Sequence, residues 1–397
     1  MLPDGWKKAT LGELLPKSYR NGIYKDSSYY GSGTRILRIT DFDGDGRLST
    51  CNLLKVDLSI KEVESFELKD SDIIINRVNS LAQLGKAILW ERGFGPAVYE
   101  SNMMRIEAAS ELLDPKFLIR ILLSQAAKKY FRGVAKQAVA QCSINQQDVK
   151  KMPILLPPLP EQNKVAKILT AWDRAIGTTE HLLNNSQRQK KALMQQLLSS
   201  KQRLPGFSSR WQVVKFGEAF RERGETGFIE LPLLSITSEE GVINREDSGR
   251  KDTSNADKSK YLRICPGDIG YNTMRMWQGV SGLSTLEGLV SPAYTVLVPQ
   301  PGVYPLFAAY LFKLPALVHV FYRHSQGLVS DTWNLKYANF SKIQWSIPGF
   351  EEQKAIAAVL SSADREIETL QQQLAGLNQE KKVLMQQLLT GKRRVSI

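Results

Sequence analysis

The chain contains few residue patterns that could do chemistry, and the most specific of them is acidic. Residues 41–46 read Asp-Phe-Asp-Gly-Asp-Gly, which is the start of a calcium-binding loop. The twelfth position of that loop is Asn52, where a bidentate Glu is required, and the segment before it is strand-like. We therefore interpret residues 41–46 as a tight hairpin and expect no metal there.

Other catalytic and cofactor patterns are missing from the sequence. Gly31 and Gly33 are too close together for a phosphate-binding loop, and no Gly-x-x-x-x-Gly-Lys-Ser/Thr sequence occurs. The few histidines and cysteines lie far apart and form neither a zinc pattern nor a disulfide framework. We interpret the histidines (His181, His319 and His324) as structural or exposed, and the cysteines (Cys51, Cys142 and Cys265) as reduced thiols. The sequence thus predicts no catalytic residue, no metal and no cofactor bound by this chain.

The charge balance predicts a polyanionic partner. The 397 residues include 53 Lys and Arg against 40 Asp and Glu, a net charge of +13, which favours nucleic acid or an acidic membrane face. The longest apolar stretch, residues 306–322, is interrupted by Lys313 and Pro315, so we interpret it as a buried helix pair and not as a membrane span. No secretory signal is recognised, and we expect a cytoplasmic protein.

An internal repeat organises the chain. Residues 190–201 recur as residues 381–392 with nine of twelve positions identical, and at the same offset of 191 Glu161-Gln162 falls on Glu352-Gln353. The front of the unit repeats more loosely, because Trp6 corresponds to Trp211 at an offset of 205. The chain therefore contains two copies of one unit, and in each copy a divergent body is followed by a tail whose sequence matches that of the other copy closely. The predicted segments are body 1 (1–155), helix 1 (156–202), body 2 (203–347) and helix 2 (348–397).

The tails read as two long helices that pair as an antiparallel coiled coil. From 161 to about 198 and from 352 to about 389 no proline occurs and apolar residues recur in steps of three and four. Thr179, Ser186 and Lys190 weaken the first seam, which favours a helix with a specific partner. A single amphipathic helix on a globular core is the alternative. The predicted seam comprises Ile176, Leu183, Leu193, Leu197, Ile367, Leu370, Leu374, Leu377, Leu384 and Leu388.

The bodies alternate short β-rich runs with Gly- and Asp-rich turns. The clearest runs are residues 36–40, 72–76 and 294–298, and helical stretches are predicted near 117–130 and 307–321. We therefore predict an α+β fold: two mixed α/β domains, separated and followed by the paired helices, with a pseudo-two-fold repeat.

This order, with a Pro…Glu-Gln junction before each helix, resembles the specificity subunits of type I restriction–modification systems. The junctions are residues 154–162 and 347–353, and the resemblance covers essentially the whole chain. The second junction has Gly349-Phe350 where the first has Pro158-Leu159, a departure that concerns only the local turn.

The resemblance implies a non-catalytic subunit that reads DNA. Each body would be a target recognition domain that reads one half of a bipartite site in double-stranded DNA. The paired helices would fix the gap and dock two adenine-N6 methyltransferase subunits, which restriction and translocase subunits join. S-adenosylmethionine, ATP and magnesium are then expected on those partners. No Asn/Asp-Pro-Pro-Tyr/Phe motif of an amino-methyltransferase occurs in this chain.

The DNA-binding residues should lie in loops, where Arg, Lys, Asn and Gln reach base edges and phosphates. The strongest single candidate is Arg275 beside Trp277, because its guanidinium can bind guanine while the ring packs beside it. The candidates in body 1 are Arg20, Tyr24, Lys25, Tyr30, Arg35, Arg77, Asn79, Lys136 and Gln137. Those in body 2 are Arg221, Arg223, Arg245, Arg250, Lys251, Asn272, Arg275, Trp277, Gln278, Arg323 and Ser325.

Two alternative functions remain open at this point: a coiled-coil adaptor that binds protein, and a freestanding DNA-binding repressor. A steep dependence of binding on salt separates DNA readers from an adaptor. Copurification with a methyltransferase separates the subunit from a repressor. The bases that are read do not follow from the sequence, because recognition loops obey no transferable code.

Overall fold

The computed structural model describes residues 2–15, 19–50, 52–108, 111–137, 141–237, 240–249, 257–328 and 332–395. They form two compact units: unit 1 contains residues 1–180 and 373–397, and unit 2 contains residues 181–372. Each unit therefore consists of one body and parts of both long helices.

Unit 1 begins with a mixed body and continues into the first long helix. Its elements are β1 (Lys7–Thr10), α1 (Leu11–Leu14), β2 (Tyr19–Asn21), β3 (Tyr30–Leu37), β4 (Lys55–Val56), α2 (Ile60–Phe66), β5 (Asp72–Asn76), β6 (Val78–Asn79), β7 (Ala87–Leu89), β8 (Val98–Tyr99), β9 (Met103–Glu107), α3 (Pro115–Leu123), α4 (Gln125–Val134), β10 (Lys136–Gln137), β11 (Cys142–Ser143), α5 (Gln146–Lys150), β12 (Pro153–Leu156) and α6 (Leu159–Leu197), which ends in unit 2.

Unit 2 repeats this plan with shorter peripheral strands. Its elements are β13 (Gln212–Lys215), α7 (Phe216–Ala219), β14 (Phe220–Glu222), β15 (Leu234–Ile236), β16 (Val242–Asn244), β17 (Leu262–Ile264), β18 (Ile269–Asn272), β19 (Ser281–Leu283), β20 (Gly288–Val290), β21 (Tyr294–Pro299), α8 (Pro305–Leu311), α9 (Pro315–His324), α10 (Tyr337–Phe340), β22 (Gln344–Ile347) and α11 (Phe350–Leu389), which ends in unit 1.

The two bodies share one sheet topology. A four-stranded antiparallel sheet has the order β2-β9-β5-β7 in unit 1 and β14-β21-β18-β19 in unit 2. In addition, the first and last strands of each body pair: Lys7 lies opposite Leu156, and Gln212 lies opposite Ile347. These partners differ by the sequence offsets 205 and 191. The predicted α+β fold with an internal repeat is confirmed.

The apolar run of β5 is explained by burial on both faces of the sheet. Ile73 and Ile75 pack in one core with Phe117 of α3, whereas Ile74 packs in another with Trp90. All three isoleucines are fully buried. A strand covered on both sides reads as a continuous apolar segment and not as an alternating one, which is why residues 72–76 were recognisable as a strand.

Two local predictions about the bodies are confirmed in part, with different boundaries. The helical stretch predicted at 117–130 is two helices, because the Oγ of Ser124 accepts the N–H of Ala127 and starts α4 anew. The strand predicted at 36–40 ends at Leu37, because the backbone N–H of Arg38 donates to the Asp41 carboxylate at 2.8 Å and turns the chain. Both breaks are caused by short polar side chains that bind nearby backbone.

The Glu-Gln pair at the start of each long helix clamps that helix to its body. The fully buried Gln162 donates to the carbonyls of Leu112 and Pro157 at 2.9 Å each and accepts the N–H of Asp114 at 3.0 Å. In unit 2, Gln353 makes the same three bonds, to the carbonyls of Gly302 and Pro348 and the N–H of Tyr304, at 2.8–2.9 Å.

The neighbouring glutamate binds an arginine beyond the end of the other long helix. Arg394 binds the carboxylate of Glu161 through Nε at 2.7 Å and Nη2 at 2.9 Å, and Arg203 binds that of Glu352 at 2.6 and 2.7 Å. Both glutamates are almost fully buried. A buried carboxylate needs such a bidentate partner, so the junction motif is a structural clamp.

Within each unit the two long helices run antiparallel and pair through matching ions. In unit 1, Nζ of Lys381 lies 2.6 Å from a carboxylate oxygen of Asp173. In unit 2, Lys190 pairs with Asp364, and Ser186 Oγ donates to Glu366 at 3.0 Å. Ser186 and Lys190 thus have specific partners on the other helix, whereas Thr179 Oγ1 donates to the carbonyl of Ala175 on its own helix at 3.0 Å.

The ten predicted seam residues are all buried or half-buried: Ile176, Leu183, Leu193, Leu197, Ile367, Leu370, Leu374, Leu377, Leu384 and Leu388. The alternative of a helix on a globular core also describes part of the structure, because Val165, Ala166 and Leu169 of α6 belong to the core of body 1.

Candidate nucleic-acid interface

In unit 1, the loop that follows β5 lies beside the hairpin of β10 and β11. Strand β11 pairs with β10 on one side and β6 on the other, so Gln137 and Asn79 both lie opposite Cys142. The N–H of Ile144 donates to the carbonyl of Arg77 at 2.9 Å. We call residues 77–80, 136–137 and 142–144 the loop–hairpin site of unit 1. It brings together four predicted DNA-binding residues: Arg77, Asn79, Lys136 and Gln137.

The same arrangement recurs in unit 2. The loop after β18 lies beside a hairpin whose sides are joined by reciprocal backbone bonds of 2.8 Å between Gln326 and Asn334. The N–H of Leu335 donates to the carbonyl of Thr273 at 2.8 Å, which is the counterpart of the Ile144–Arg77 bond. We call residues 273–278, 319–328 and 332–336 the loop–hairpin site of unit 2. It contains the predicted Arg275, Trp277, Gln278, Arg323 and Ser325, and Asn272 directly precedes it.

Each of these loops closes on a glycine that no other residue type replaces without strain. Gly85 has φ +77°, and an added Cβ would lie 2.5 Å from Phe131; Gly279 has φ +78°, and its Cβ would lie 3.0 Å from Val318. Positive φ and close contact with a helix together require glycine. Because both loops end in this way, the scaffold presents them at equivalent places.

The side chains of the two sites differ in chemistry. Lys136 and Gln137 are exposed, and the side-chain carbonyl of Asn79 accepts the N–H of Ser80 at 2.7 Å, so unit 1 presents amides and a cation. In unit 2, Arg275, Gln278 and Arg323 are exposed and Trp277 is half-buried. Ser325 is engaged locally, since its Oγ donates to the carbonyl of Phe321 at 2.8 Å.

Two aromatic residues of the unit 2 site were missed by the sequence reasoning. The ring of Trp333 lies 5.2 Å from that of Trp277 and 4.9 Å from that of Tyr322, edge to face in both cases. The internal repeat could have pointed to the segment that contains Trp333. At the offset of 191, the next residue, Asn334, corresponds to Ser143 in the unit 1 hairpin.

A half-buried lysine holds the end of the unit 2 loop. Nζ of Lys313 donates to the carbonyls of Gly279 at 2.8 Å and Ser281 at 2.7 Å. Burial lowers the pKa of Lys313 to about 8, although the two carbonyls favour its charged form. Lys313 is therefore a positioning residue for the loop.

The other candidates of body 1 are not among the residues of the loop–hairpin site, and most have protein partners. Arg20 donates to the carbonyl of Ser65 at 2.7 Å and Arg35 to that of Phe94 at 2.6 Å. Lys25 forms an ion pair of 2.8 Å with Glu62, whose pKa it lowers to about 2 by a hydrogen bond. Of the remaining two, Tyr24 is strongly exposed and Tyr30 is half-buried.

The other candidates of body 2 also differ in availability. Arg221 is exposed on β14, whereas Arg223 binds the buried Asp268 at 2.8 Å, a hydrogen bond that raises the pKa of the arginine. Arg245 donates to Ser235 Oγ at 3.1 Å. Arg250 and Lys251 lie outside the described residues. The role of every candidate in DNA binding stays a prediction. Arg223 is a weaker candidate than the others because its guanidinium is paired with Asp268.

The acidic segment at 41–46 is a hairpin, as predicted. Phe42 and Leu48 form an antiparallel bridge, and the Asp43 carboxylate accepts the N–H groups of Asp45 and Arg47 at 2.9 Å each. Across the part of the chain that is described, no group of three His, Cys, Asp or Glu residues is arranged to hold a metal ion.

The predicted helix pair at 306–322 corresponds to α8 and α9. No single helix in the described ranges is long and apolar enough to cross a membrane, and these two pass that test only jointly, with a bend of 79° between them. Phe307, Leu311 and Phe321 lie in the core of unit 2.

Known proteins provide an independent comparison. Residues 3–186 match the family model described as the type I restriction modification DNA specificity domain. The type I restriction enzyme MjaVIII specificity subunit of Methanocaldococcus jannaschii is 24% identical over 99% of this chain and 94% of its own length. The StySPI specificity subunit of Salmonella potsdam is 29% identical over 49% of this chain and 42% of its own length.

The fold agrees with solved structures. The type I restriction–modification S subunit from M. genitalium superposes with a TM-score of 0.61 over 98% of both chains at 14% identity. This likeness concerns the fold alone. Taken with the sequence matches and the duplicated junctions, it makes the chain similar to type I restriction–modification specificity subunits over almost its whole length, and residues 3–186 match the family model itself.

Proposed function

We propose that this chain is the DNA sequence-recognition subunit of a type I restriction–modification complex, in which each unit reads one half of a bipartite site. The observation that carries the proposal is the loop–hairpin site, which occupies an equivalent position in both units and presents different side chains in each. One scaffold with two chemistries suits two half-sites of different sequence.

The unit 1 site suits hydrogen-bond readout. Asn and Gln side chains pair with the N6 and N7 edge of adenine in the major groove, and Asn79 and Gln137 face the same residue across the small sheet. Lys136 is exposed beside them and suits a phosphate or guanine contact. We therefore expect this site to contact at least one adenine.

The unit 2 site suits guanine. Arg275 is exposed at the tip of the loop after β18, and arginine binds the O6 and N7 atoms of guanine with two hydrogen bonds. The buried Met276 that follows it fixes the backbone on which the guanidinium is carried. The net charge of +13 supplies the phosphate attraction that every duplex contact needs.

The paired helices are proposed to set the gap between half-sites. Helices α6 and α11 contain 39 and 40 residues, about 60 Å each at ~1.5 Å per residue. Their ion pairs, Lys381–Asp173 and Lys190–Asp364, fix the antiparallel register within each unit. A spacer of fixed register suits half-sites at a fixed separation along the duplex.

Two methyltransferase subunits are the proposed protein partners, with restriction and translocase subunits joining them. One related solved structure comes from work on complex assembly and conformational transition of the type I system. In unit 1, a groove of about 500 Å³ lies between α4, β12 and the end of α11, lined by Tyr130, Met152, Met385 and Leu389 among others. An amphipathic helix of a protein partner can lay its apolar face in a groove of this kind.

The proposal assigns all catalysis to those partners. S-adenosylmethionine, ATP and magnesium would be bound by them and not by this chain, and the complex would act on DNA in the cytoplasm. No feature described above favours the adaptor or the repressor over the proposed function.

The decisive experiment is a base-resolution map of adenine methylation in host cells with and without the gene. Loss of one bipartite motif on deletion is the expected result, and it supplies both half-sites. An unchanged map, together with failure to copurify with a methyltransferase, would refute the proposal. Binding that does not weaken between about 50 and 200 mM salt would also refute it and favour the adaptor.

A further inference from the structure

A set of aromatic rings forms an exposed surface in the loop–hairpin site of unit 2. We call Trp277, Tyr322 and Trp333 the ring platform. Trp333 lies between the other two, with ring centroids 5.2 and 4.9 Å away, and His319 stacks on Tyr322 at 5.9 Å. Tyr322 and His319 are exposed and both tryptophans are half-buried. The platform therefore presents ring surface to solvent and is not part of the core.

The platform offers ring surface for apolar contact, and the polar group of Trp277 is not available to a ligand. The indole N–H of Trp277 donates to the carbonyl of Met274 at 3.0 Å, so its polar group is already used. The rings are also held in place, because Met276 and Leu335, each close in sequence to a platform tryptophan, are fully buried. A fixed ring surface binds at a low cost in conformational entropy.

Charge identifies the partner as a polyanion. The segments that build the unit 2 site include Arg275, Arg323 and Lys336, all exposed. Residues 273–278, 319–328 and 332–336 contain no Asp or Glu, and the sequence between the last two ranges adds one acidic residue, Asp331. The equivalent site of unit 1 presents the amides of Asn79 and Gln137, which suit base edges and have no use at a membrane face. Duplex DNA is therefore the occupant that fits both sites.

Thymine is the base that such a surface distinguishes. In the major groove, the other base edges present hydrogen-bond donors and acceptors, whereas thymine adds an apolar 5-methyl group. We infer that the ring platform reads a thymine in the half-site bound by unit 2 through this methyl group, with Arg275 and Arg323 beside it on neighbouring bases or phosphates. This inference rests on the proposed function.

The test uses the full chain in its native complex and the site obtained from the methylation map. Each thymine of the unit 2 half-site is replaced in turn by deoxyuridine, which lacks only the methyl group. At one position, affinity should fall about fourfold, as expected for the loss of one buried methyl contact. In Trp333→Ala, affinity should fall and the preference for thymine over uracil at that position should disappear.

Controls separate this result from general damage. Thymines of the half-site bound by unit 1 are an internal control, because Trp333→Ala should leave their response to uracil unchanged. Trp277→Ala is measured in parallel, so that an unfolded hairpin in one variant does not decide the outcome. Circular dichroism and thermal unfolding establish which variant is folded.

Two outcomes would overturn the inference while leaving the proposed function intact. The first is a bipartite site whose unit 2 half tolerates uracil at every thymine or contains no thymine. The second is a thymine preference that persists in both folded tryptophan variants. If the native complex bound no specific site, the proposed function itself would fail, and the inference with it.

Discussion

Replacing Gln353 by alanine should open the junction between α11 and the body of unit 2. The side chain is fully buried and satisfies three backbone groups: the carbonyls of Gly302 and Pro348 and the N–H of Tyr304. Alanine reaches none of them. The junction motif therefore predicts a local loss of stability at the start of α8, where no DNA contact is proposed.

The size of the effect follows from counting these groups. A buried donor or acceptor left without a partner costs about 1–3 kcal/mol, and the space left by the side chain is polar enough to admit a water. We therefore take about 1 kcal/mol for each of three groups, or about 3 kcal/mol in total. That corresponds to roughly 100-fold faster exchange for amides that open with the junction.

Hydrogen–deuterium exchange of peptides covering residues 300–312 measures this opening. Gln371→Ala is the matched control, because Gln371 is an exposed glutamine on the same helix within unit 2. Gln162→Ala is the mirror variant, since Gln162 makes the equivalent bonds in unit 1. It should accelerate exchange in residues 112–123 and leave 300–312 unchanged.

The reasoning is refuted if Gln353→Ala accelerates exchange less than tenfold in residues 300–312. It is also refuted if the acceleration matches that of Gln371→Ala. An equal acceleration over the whole chain would show that the clamp stabilises the molecule globally and not the junction.

Three further predictions concern the loop–hairpin site of unit 2 and the long helices. Burial lowers the pKa of Lys313 to about 8, against about 10.4 in the unfolded chain. Between pH 8 and about 10.4 the unfolded chain therefore binds a proton that the folded chain does not, and the free energy of unfolding should rise with pH. In urea titrations, Lys313→Met should lack that rise. Arg275→Ala should cost about 1–3 kcal/mol and relax one position of one half-site in binding assays, whereas a uniform loss on all sequences would identify a phosphate contact. Four residues inserted in both long helices, after 180 and after 372, add about 6 Å to each and should lengthen the gap by up to about two base pairs without changing the half-sites; a methylation map with the parental gap would contradict the spacer role.

The repeated parts of the fold could be predicted from the sequence, because their determinants are local. The seam leucines recur at helical spacing, and each helix starts two residues after Pro157 or Pro348. The sequence could not show which candidate DNA-binding residues already have protein partners, because those partners are distant in sequence. Arg223 binds Asp268, 45 residues away, and Arg35 binds the carbonyl of Phe94, 59 residues away. A periodic pattern in the sequence does not predict which arginine and lysine side chains bind such distant partners.

Under the proposed function, two units of different specificity share one scaffold, and the backbone contacts of the loop–hairpin sites are consistent with that. Backbone groups attach each hairpin to its loop, through the N–H of Ile144 and the carbonyl of Arg77 in unit 1, and through Leu335 and Thr273 in unit 2. The side chains that project there contribute little to this attachment. The clamp residues, by contrast, bind through their side chains, and they are the residues that recur unchanged. Substitution in a loop–hairpin site should therefore alter the base that is read at a small cost in stability, whereas substitution of Gln162 or Gln353 should cost about 3 kcal/mol at its junction.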